Sequence, residues 1–331
     1  MLNTYSKPIL TIAIPTYNRE VYLDLCLKRI YEEVALLRDE SQGLVRVFIS
    51  DNHSLDSTQN IVAKYKQLMP DIIESMRNEE NVGPDNNIVQ CYSVPTTPYV
   101  WVFGDDDVIL EGGLQQVLDA LVKEDIDLLF VNSYPFENDY LEKKHPVKHS
   151  PLVYLDASAF AKRTNILLTF ISTTIMRSGA GAQFIAPLKG TSLIQLSWVM
   201  SLLNNGEKFG VIENFLVAAK AGNSGGYSLV EVFGKNLDAI CKRILTERTA
   251  ISKMVQNSAI VYFFPFYILE SKKGIDNFTK GNMRKGLSEV FRGNWRYYIF
   301  ILPMLEMPQG MAKIYFSFLR FIRKTSKTFL I

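Results

Sequence analysis

The sequence predicts an α/β fold, a Rossmann-like, mostly parallel sheet flanked by helices over residues 1–221, followed by a helical C-terminal region over 222–331. Three observations carry this expectation. From residue 9 to 131, short β-rich runs alternate with helix-period segments, the pattern of strands joined by crossover helices. After a polar loop containing Glu137–Lys148 the α/β character resumes. At Gly222-Asn223-Ser224-Gly225-Gly226 the strand signals stop, and the rest reads as four or five helices with many aromatics.

Taken in order, the strands read as Leu10–Ile14, Leu44–Ser50, Ile72–Arg77, Tyr99–Phe103 and Asp127–Val131. Leu27, Ile30, Tyr31, Val34 and Leu37 recur at helical spacing between the first two, so one face of that helix packs on the sheet. The second helix is expected to open at Asp56, with Gln59 three residues on as a capping box, and to bury Ile61, Val62, Tyr65 and Leu68. Further on, the pattern predicts a strand at Phe170–Met176, a helix at Thr191–Leu203 and a strand near Gly210–Ala218.

Composition narrows the function classes. With 47% hydrophobic and 21% charged residues the chain can bury a large core, and a net charge of +2 gives no overall field for nucleic acid. Cys26, Cys91 and Cys241 lack the paired spacing of a zinc site or disulfide framework, which suits a reducing, cytoplasmic setting. Pro8 and Thr11 interrupt any signal-peptide core, and Ala259–Leu269, the nearest thing to a spanning helix, is short and contains Pro265, so no transmembrane segment is expected.

In open α/β sheets ligands bind beyond the carboxyl ends of the strands. Four segments there are unusually polar: Pro15-Thr16-Tyr17-Asn18-Arg19, Ser50-Asp51-Asn52, Asn78-Glu79-Glu80-Asn81-Val82-Gly83 and Gly104-Asp105-Asp106-Asp107. Three adjacent carboxylates disfavour joint ionisation, and a cation removes the conflict. Their hard oxygens suit Mg²⁺ or Mn²⁺, whose sites use one or two carboxylates completed by waters and substrate phosphates. A solvated acidic turn or a helix N-terminus would look the same.

The motifs taken together decide more than the triplet alone. Ile12-Ala13-Ile14-Pro15-Thr16-Tyr17-Asn18-Arg19, the stretch from Phe48 through Ser50-Asp51-Asn52 to Thr58, Asn81-Val82-Gly83 and the acidic triplet after a strand resemble, in order and spacing, the family-2-type glycosyltransferases of GT-A fold. Trp101-Val102-Phe103-Gly104-Asp105-Asp106-Asp107 is similar to abequosyltransferase-like enzymes of bacterial O-antigen assembly. Phe170-Ile171-Ser172-Thr173-Thr174-Ile175 and Gly190-Thr191-Ser192 point the same way. The resemblance is good to about residue 220 and vague after it.

It implies a metal-dependent transfer of a sugar, a deoxyhexose in that group, from a nucleotide-sugar donor to a glycan or lipid-linked oligosaccharide in surface polysaccharide synthesis. Pro15, Thr16, Tyr17 and Arg19 would border the nucleotide, and Asp51, with Asn52 beside it, would accept a hydrogen bond from the base. Arg77, Asn81 and Gly83 would lie near the nucleotide or its phosphates. Asp105 and Asp106 would belong to the catalytic and donor-binding set, and Asp107, with Asp105, would hold Mn²⁺ or Mg²⁺. A carboxylate such as Asp51 can only accept, so it suits a base edge presenting an N–H.

One departure stands out: Ala157 to Gly206 contains no Asp or Glu, where inverting members keep a general base. Gln195 and Trp198 sit in the acceptor-facing stretch, and Glu137, Asp139, Asp156 and Glu213 are candidate bases from elsewhere. A retaining reaction, in which the leaving phosphate takes the proton, is the favoured expectation, and a catalytically silent carbohydrate-binding module is the alternative from another class. A sugar nucleotidyltransferase would want a glycine-rich loop after the first strand, where only Arg19 is suitable. Gly222–Gly226 formally matches G-x-S-x-G, but no histidine follows His149, so a serine-hydrolase triad fails. His145 and His149 lie in a Pro-containing loop rather than on one helix face, which sets a zinc site aside.

The tail Lys313-Ile314-Tyr315-Phe316-Ser317-Phe318-Leu319-Arg320-Phe321-Ile322-Arg323-Lys324, with Lys327 beyond it, mixes aromatics with basic residues as an interfacial helix would. Two expectations follow: a peripheral contact with the inner face of the cytoplasmic membrane, or a terminal helix packed on its neighbours.

Overall fold

In a computed structural model the structure describes residues 7–143, 145–149, 151–222, 226–274 and 282–325. Most of the Gly222–Gly226 loop and Lys327 lie outside the described residues. The chain divides into two compact units. The first comprises residues to Phe160, Leu168–Gly190 and Ile194–Ala221; the second comprises Gly222 onward with Ala161–Leu167 and Thr191–Leu193. Those two short segments, expected in the first unit, cluster with the second.

The first unit is built on nine strands: β1 (Leu10–Thr16), β2 (Val45–Asp51), β3 (Ile73–Arg77), β4 (Tyr99–Val102), β5 (Val108–Ile109), β6 (Leu128–Phe136), β7 (Leu152–Leu155), β8 (Thr174–Arg177) and β9 (Phe209–Lys220). Their order is β3-β2-β1-β4-β8-β6-β9-β5, with β7 also on β9. The first four are parallel. β8 then runs antiparallel to both β4 and β6, β6 pairs parallel with β9, and β5 and β7 pair antiparallel with β9. The sheet is therefore mixed. The parallel half carries the near-continuous apolar runs expected of strands covered on both faces: Leu10 to Ile14 and Tyr99 to Val102 are buried throughout, and Thr11 is the one polar residue among them.

Four helices flank the parallel half: α1 (Glu20–Ala35), α2 (Thr58–Leu68), α3 (Pro84–Ser93) and α4 (Gly113–Lys123). α1 buries Leu23, Cys26, Leu27 and Ile30 as the spacing requires, but Tyr31 is 40% exposed. Arg29 and Glu33 take buried positions on this helix. Glu33 accepts from Arg29 Nη2 at 3.0 Å and from the Gly112 and Leu114 N–H groups at 3.1 Å each, satisfying donors at the start of α4. Burial raises the Glu33 pKa against these partners. Helical spacing does not reveal a buried ion pair of this kind, which is why Tyr31 was assigned inward.

Two other expectations are corrected. α2 opens at Thr58 without the capping box: Asp56 accepts from Thr58 N–H at 3.1 Å, while Gln59 Nε2 turns instead to Asp51. Leu68 is half exposed. Residues 171–173 form a 3₁₀ turn rather than the start of a strand, and the helix expected from Thr191 begins at Leu196, after Ser192 takes a left-handed φ of 57° that no α-helix continues through. The remaining helices of this unit are α5 (Ala157–Thr164), whose end passes into the second unit, the single turn α6 (Ile185–Leu188) and α7 (Leu196–Asn205). β5 and β7, of two and four residues, were too short to read as strands.

The second unit is helical: α8 (Leu237–Ile244), α9 (Thr249–Ser258), α10 (Phe264–Lys273), α11 (Met283–Phe291), α12 (Leu302–Glu306) and α13 (Gln309–Thr325). Widened π turns at Val230–Asn236, Ala259–Phe263 and Tyr297–Ile301 run on into α8, α10 and α12, so that the described residues make five continuous rods. Pro265 lies inside the continuous rod formed by α9, the π turn and α10, directly after the widened turn Ala259–Phe263, the kind of helix irregularity that accompanies an interior proline. Among the described residues no helix is long and apolar enough to cross a membrane.

Candidate active site

Parallel pairing of β1, β2 and β3 brings their last residues side by side: Thr16 is registered on Asp51, and Asp51 on Arg77. The loops that follow are tied by side chains. Asn52 N–H donates to Thr16 O at 2.9 Å, and Asn52 Oδ1 accepts from Asn78 Nδ2 and Val82 N–H at 3.1 and 2.9 Å. Asn52 Nδ2 donates to Asn81 Oδ1 at 2.8 Å, which also accepts from Gly83 N–H at 2.9 Å. Gly83 has a φ of 84°, a backbone state that favours glycine, and it hands the chain to Pro84 at the first turn of α3. Asn87 and Gln90 of α3 complete the network against Ser50 and Asn78.

Asp51 is 1% exposed and clamps the loop after it. Its Oδ1 accepts from Ser54 N–H at 3.0 Å; its Oδ2 accepts from Gln59 and lies 3.5 Å from Arg77 Nε. Arg77 Nη2 also donates to Ser54 O at 2.8 Å. Each carboxylate oxygen has a second lone pair, so these contacts fix Asp51 without exhausting its capacity to accept. Asn18, at a left-handed φ of 52°, bridges the first two loops by accepting from Leu55 N–H at 2.7 Å and donating its own N–H to Ser54 Oγ at 2.9 Å. Pro15 lies on β1, partly buried, and Tyr17 is 39% exposed at its end.

The acidic triplet joins the same edge through two contacts. Thr16 Oγ1 donates to Asp105 Oδ2 at 2.7 Å, and Arg19 Nη1 lies 3.5 Å from Asp106 Oδ2. Asp105 and Asp107 are 9% and 2% exposed. Burial, with the charge of Asp106, pushes the Asp105 pKa up to about 7, and the same causes raise Asp107 well above the usual carboxylate range. Beneath the triplet, buried Cys26 of α1 points its thiol at Gly104 O, 3.8 Å away; burial first, and the aspartates second, raise its pKa.

Two residues hold Asp107 that sequence reasoning did not assign. Ser172, fully buried, donates its hydroxyl to Asp107 Oδ2 and accepts from Gly104 N–H at 2.9 Å, while its carbonyl accepts from Trp101 Nε1 at 2.9 Å. Lys220, closing β9, donates its backbone N–H to Asp107 Oδ1 at 3.0 Å. At Gly104 an added Cβ would stand 2.9 Å from Asp107 Oδ2 and 3.1 Å from Asp106 Oδ1, so the absence of a side chain is what lets the carboxylates fold over it. Ser172 lies in the Phe170–Ile175 motif, but only the 3₁₀ turn reveals where its hydroxyl goes.

Of the acceptor and base candidates, Glu137 lies beside Lys220, whose N–H holds Asp107, and the others make their contacts elsewhere. Trp198 is fully buried and stacks on Tyr92 at 4.1 Å, which makes it core rather than acceptor-facing. Gln195, 7% exposed, donates to Thr169 O at 2.9 Å and pins the preceding segment. Asp156 accepts from Ala159 N–H at 2.8 Å at the start of α5, and Glu213 pairs with Lys148. Asp139 accepts from Leu141 N–H at 2.8 Å, and the Glu137 carbonyl receives Lys220 Nζ; both side chains are exposed. Among the described residues no group of three or more His, Cys, Asp or Glu side chains is arranged to hold a metal ion. His145 packs its ring on Phe215 and Tyr134, at 4.1 and 4.5 Å.

Comparison with known proteins places this architecture. The chain is 24% identical over 212 residues to abequosyltransferase RfbV of Salmonella typhimurium, a match covering 59% of this chain and 61% of that protein. It is 25% identical over 111 residues to the GalNAc(5)-diNAcBac-PP-undecaprenol β-1,3-glucosyltransferase of Campylobacter jejuni, covering 34% of each. The chain thus spans less than two thirds of either relative. Among solved structures it shares its fold with S. aureus TarS 1-349 in complex with UDP-GlcNAc, at a TM-score of 0.57 and 14% identity over 97% of this chain and 93% of that one. The profile described as Glycosyl transferase family 2 matches residues 11–182, more than half the chain, and with that match the chain belongs to glycosyl transferase family 2, with the GT-A fold.

Proposed function

We propose that this chain is a glycosyltransferase that moves a sugar, of the deoxyhexose class, from a nucleotide-sugar donor to a glycan or lipid-linked oligosaccharide of bacterial surface polysaccharide. The observation that carries it is the Thr16–Asp105 hydrogen bond, which joins the loop after β1 to the triplet after β4 at one sheet edge. Two relatives support these classes: one is named an abequosyltransferase, and the name of the other gives an undecaprenol-linked, hence lipid-linked, acceptor.

In this reading Asp51, Asn52, Arg77 and Asn81 order the loops that border the base, with Tyr17 and Arg19 at their rim. Asp105 and Asp107 would hold Mn²⁺ or Mg²⁺. The fit is chemical: two carboxylates whose pKa values are raised by burial and by the charge of Asp106 are hard oxygen donors whose charge a cation would neutralise. Bound there, such an ion supplies positive charge to the leaving diphosphate. Ser172 and the Lys220 N–H hold Asp107 in one orientation, and Arg19 is near enough to Asp106 to be released toward phosphate oxygens.

Retention of configuration is part of the proposal, supported by the absence of Asp and Glu from Ala157 to Gly206 and by the engagement of Asp156 and Glu213 in a helix cap and an ion pair. Exposed Glu137 and Asp139 are the bases an inverting reaction would need. NMR of the product from an α-linked donor tests it: an α-linked product supports retention and a β-linked one refutes it. The reaction itself is tested by thermal-shift screening of UDP, GDP, CDP and dTDP with Mn²⁺ or Mg²⁺, followed by donor-hydrolysis assays, since a ligand of the folded state raises its Tm. Asp107→Ala should abolish turnover while leaving the fold intact. A wild-type chain that binds no nucleoside diphosphate, or an Asp107→Ala variant that keeps its rate in chelator, refutes the assignment.

A further inference from the structure

We propose that the second unit docks peripherally on an anionic lipid surface through an apolar stripe of α13 and the neighbouring Trp295–Ile299 turn. This goes beyond the transfer reaction and does not depend on it. On α13, Met311, Ile314, Phe318 and Phe321 are 57, 75, 53 and 65% exposed. At 3.6 residues per turn their positions fall within an arc of about 80°. The face that packs inward is a different one, carrying the fully buried Ala312 and Leu319. Met311, Ile314 and Phe318, large apolar side chains in one exposed row on a helix whose core-facing side is already satisfied, need another explanation than packing.

Charge says which partner fits. Lys313, Arg320 and Lys324 form an exposed row of their own, and residues 307–325 contain no Asp or Glu. Around the helix the order is buried face, basic row, apolar row, the section of a helix lying in a membrane interface with Lys and Arg reaching headgroup phosphates. Arg323 does not belong to that row: its guanidinium lies over the Phe316 and Tyr262 rings, at 5.1 and 5.8 Å.

The stripe extends beyond the helix. Tyr315 of α13 donates its hydroxyl to Ile299 O at 2.8 Å, which fixes the helix beside the 295–301 segment. Trp295, Tyr298 and Ile299 there are 51, 53 and 38% exposed, and amphipathic aromatics of this kind favour the headgroup level. Tyr298 also borders a cavity of about 400 Å³ lined by Arg284, Lys285 and Arg292, which adds basic groups on the same segment. From Phe291 to Thr325 the sequence has six Lys and Arg against one acidic residue, Glu306, and that one is paired with Arg284 at 2.9 Å.

The test uses the full chain and vesicles of phosphatidylcholine alone or with phosphatidylglycerol, read by flotation and by tryptophan emission. Trp101 and Trp198 are fully buried, so a blue shift on adding vesicles reports Trp295. The expected result is flotation with anionic vesicles only, weakened by salt, with a blue shift that Trp295→Phe removes. Arg320→Gln and Lys324→Gln should each weaken binding about fivefold. Met311→Glu with Ile314→Glu should abolish it at an unchanged Tm, because both side chains are exposed. The proposal is overturned if the wild-type chain does not float with anionic vesicles, or if the double glutamate variant floats as well as wild type. It is equally overturned if light scattering shows a dimer that this variant disperses without vesicle binding, which would assign the stripe to a second copy.

Discussion

Replacing Ser172 by alanine tests whether the acidic triplet is held as the structure shows. The hydroxyl is fully buried and makes two hydrogen bonds, donating to Asp107 Oδ2 and accepting from Gly104 N–H at 2.9 Å. Its removal costs a hydrogen bond to a carboxyl group, about 0.5–3 kcal/mol depending on the charge of Asp107, and strands a buried N–H, about 1–3 kcal/mol. The carbonyl contact to Trp101 survives in alanine. A loss of about 2–4 kcal/mol is expected, and for a domain of about 200 residues this lowers Tm by about 5–15 °C.

The assay is urea unfolding followed by the emission of Trp101 and Trp198, which report the first unit from within its core. A double-mutant cycle with Asp107→Asn isolates the pair, and a coupling of about 0.5–3 kcal/mol is expected for side chains in contact. The same hydroxyl lowers the Asp107 pKa against burial. Its loss should therefore raise the Mn²⁺ concentration needed for half-maximal donor hydrolysis more than it raises the donor KM. A variant with wild-type Tm and wild-type metal dependence would refute the claim that Ser172 orients Asp107.

Two further predictions concern the same loop. Gly104→Ala keeps every charge but drives a methyl to 2.9 Å from Asp107 Oδ2, so donor turnover should fall by at least about tenfold, which needs only about 1.4 kcal/mol of misplacement; an unimpaired enzyme would mean the carboxylates are free to move aside. Asp105 gives a pH dependence. Its folded pKa of about 7 lies above the ordinary 3.8, so the folded state binds the extra proton and stability is greatest at low pH. That contribution falls as pH rises from about 4 to about 7 and is level above. Urea midpoints of Asp105→Asn minus wild type should therefore increase across this window, and a flat difference would show that the carboxyl is not buried as described.

The parallel half of the fold was legible because its strands are long apolar runs closed by polar residues. Leu10–Thr16 and Val45–Asp51 differ from the expected spans only at their ends, where Thr16 and Asp51 still pair although their side chains already serve the edge. The antiparallel half was less legible. β8 is four residues long and follows a 3₁₀ turn with the same Ile-Ser-Thr composition as a strand, so no periodicity separates them. Ser172 owes its place to that turn.

The acceptor candidates Trp198 and Gln195 are buried for a related physical reason. Trp198 and Gln195 were singled out by sequence position, yet α7 buries Leu196 through Asn204. A helix apolar all round is core, and its one large aromatic goes under Tyr92 rather than toward a ligand. The asparagine and glutamine residues of the sheet edge show the converse. Asn52 was expected beside the base and Asn87 and Gln90 carried no expectation, whereas the side chains of Asn52, Asn78, Asn87 and Gln90 satisfy one another and the loop backbone. A buried polar network is stable only when every member is paired. Neutral amides can meet that demand without a counter-ion, while Asp105 and Asp107 retain a charge conflict that burial makes worse. The same edge is thus rigid where the nucleotide would be bordered and electrostatically frustrated where a cation would sit.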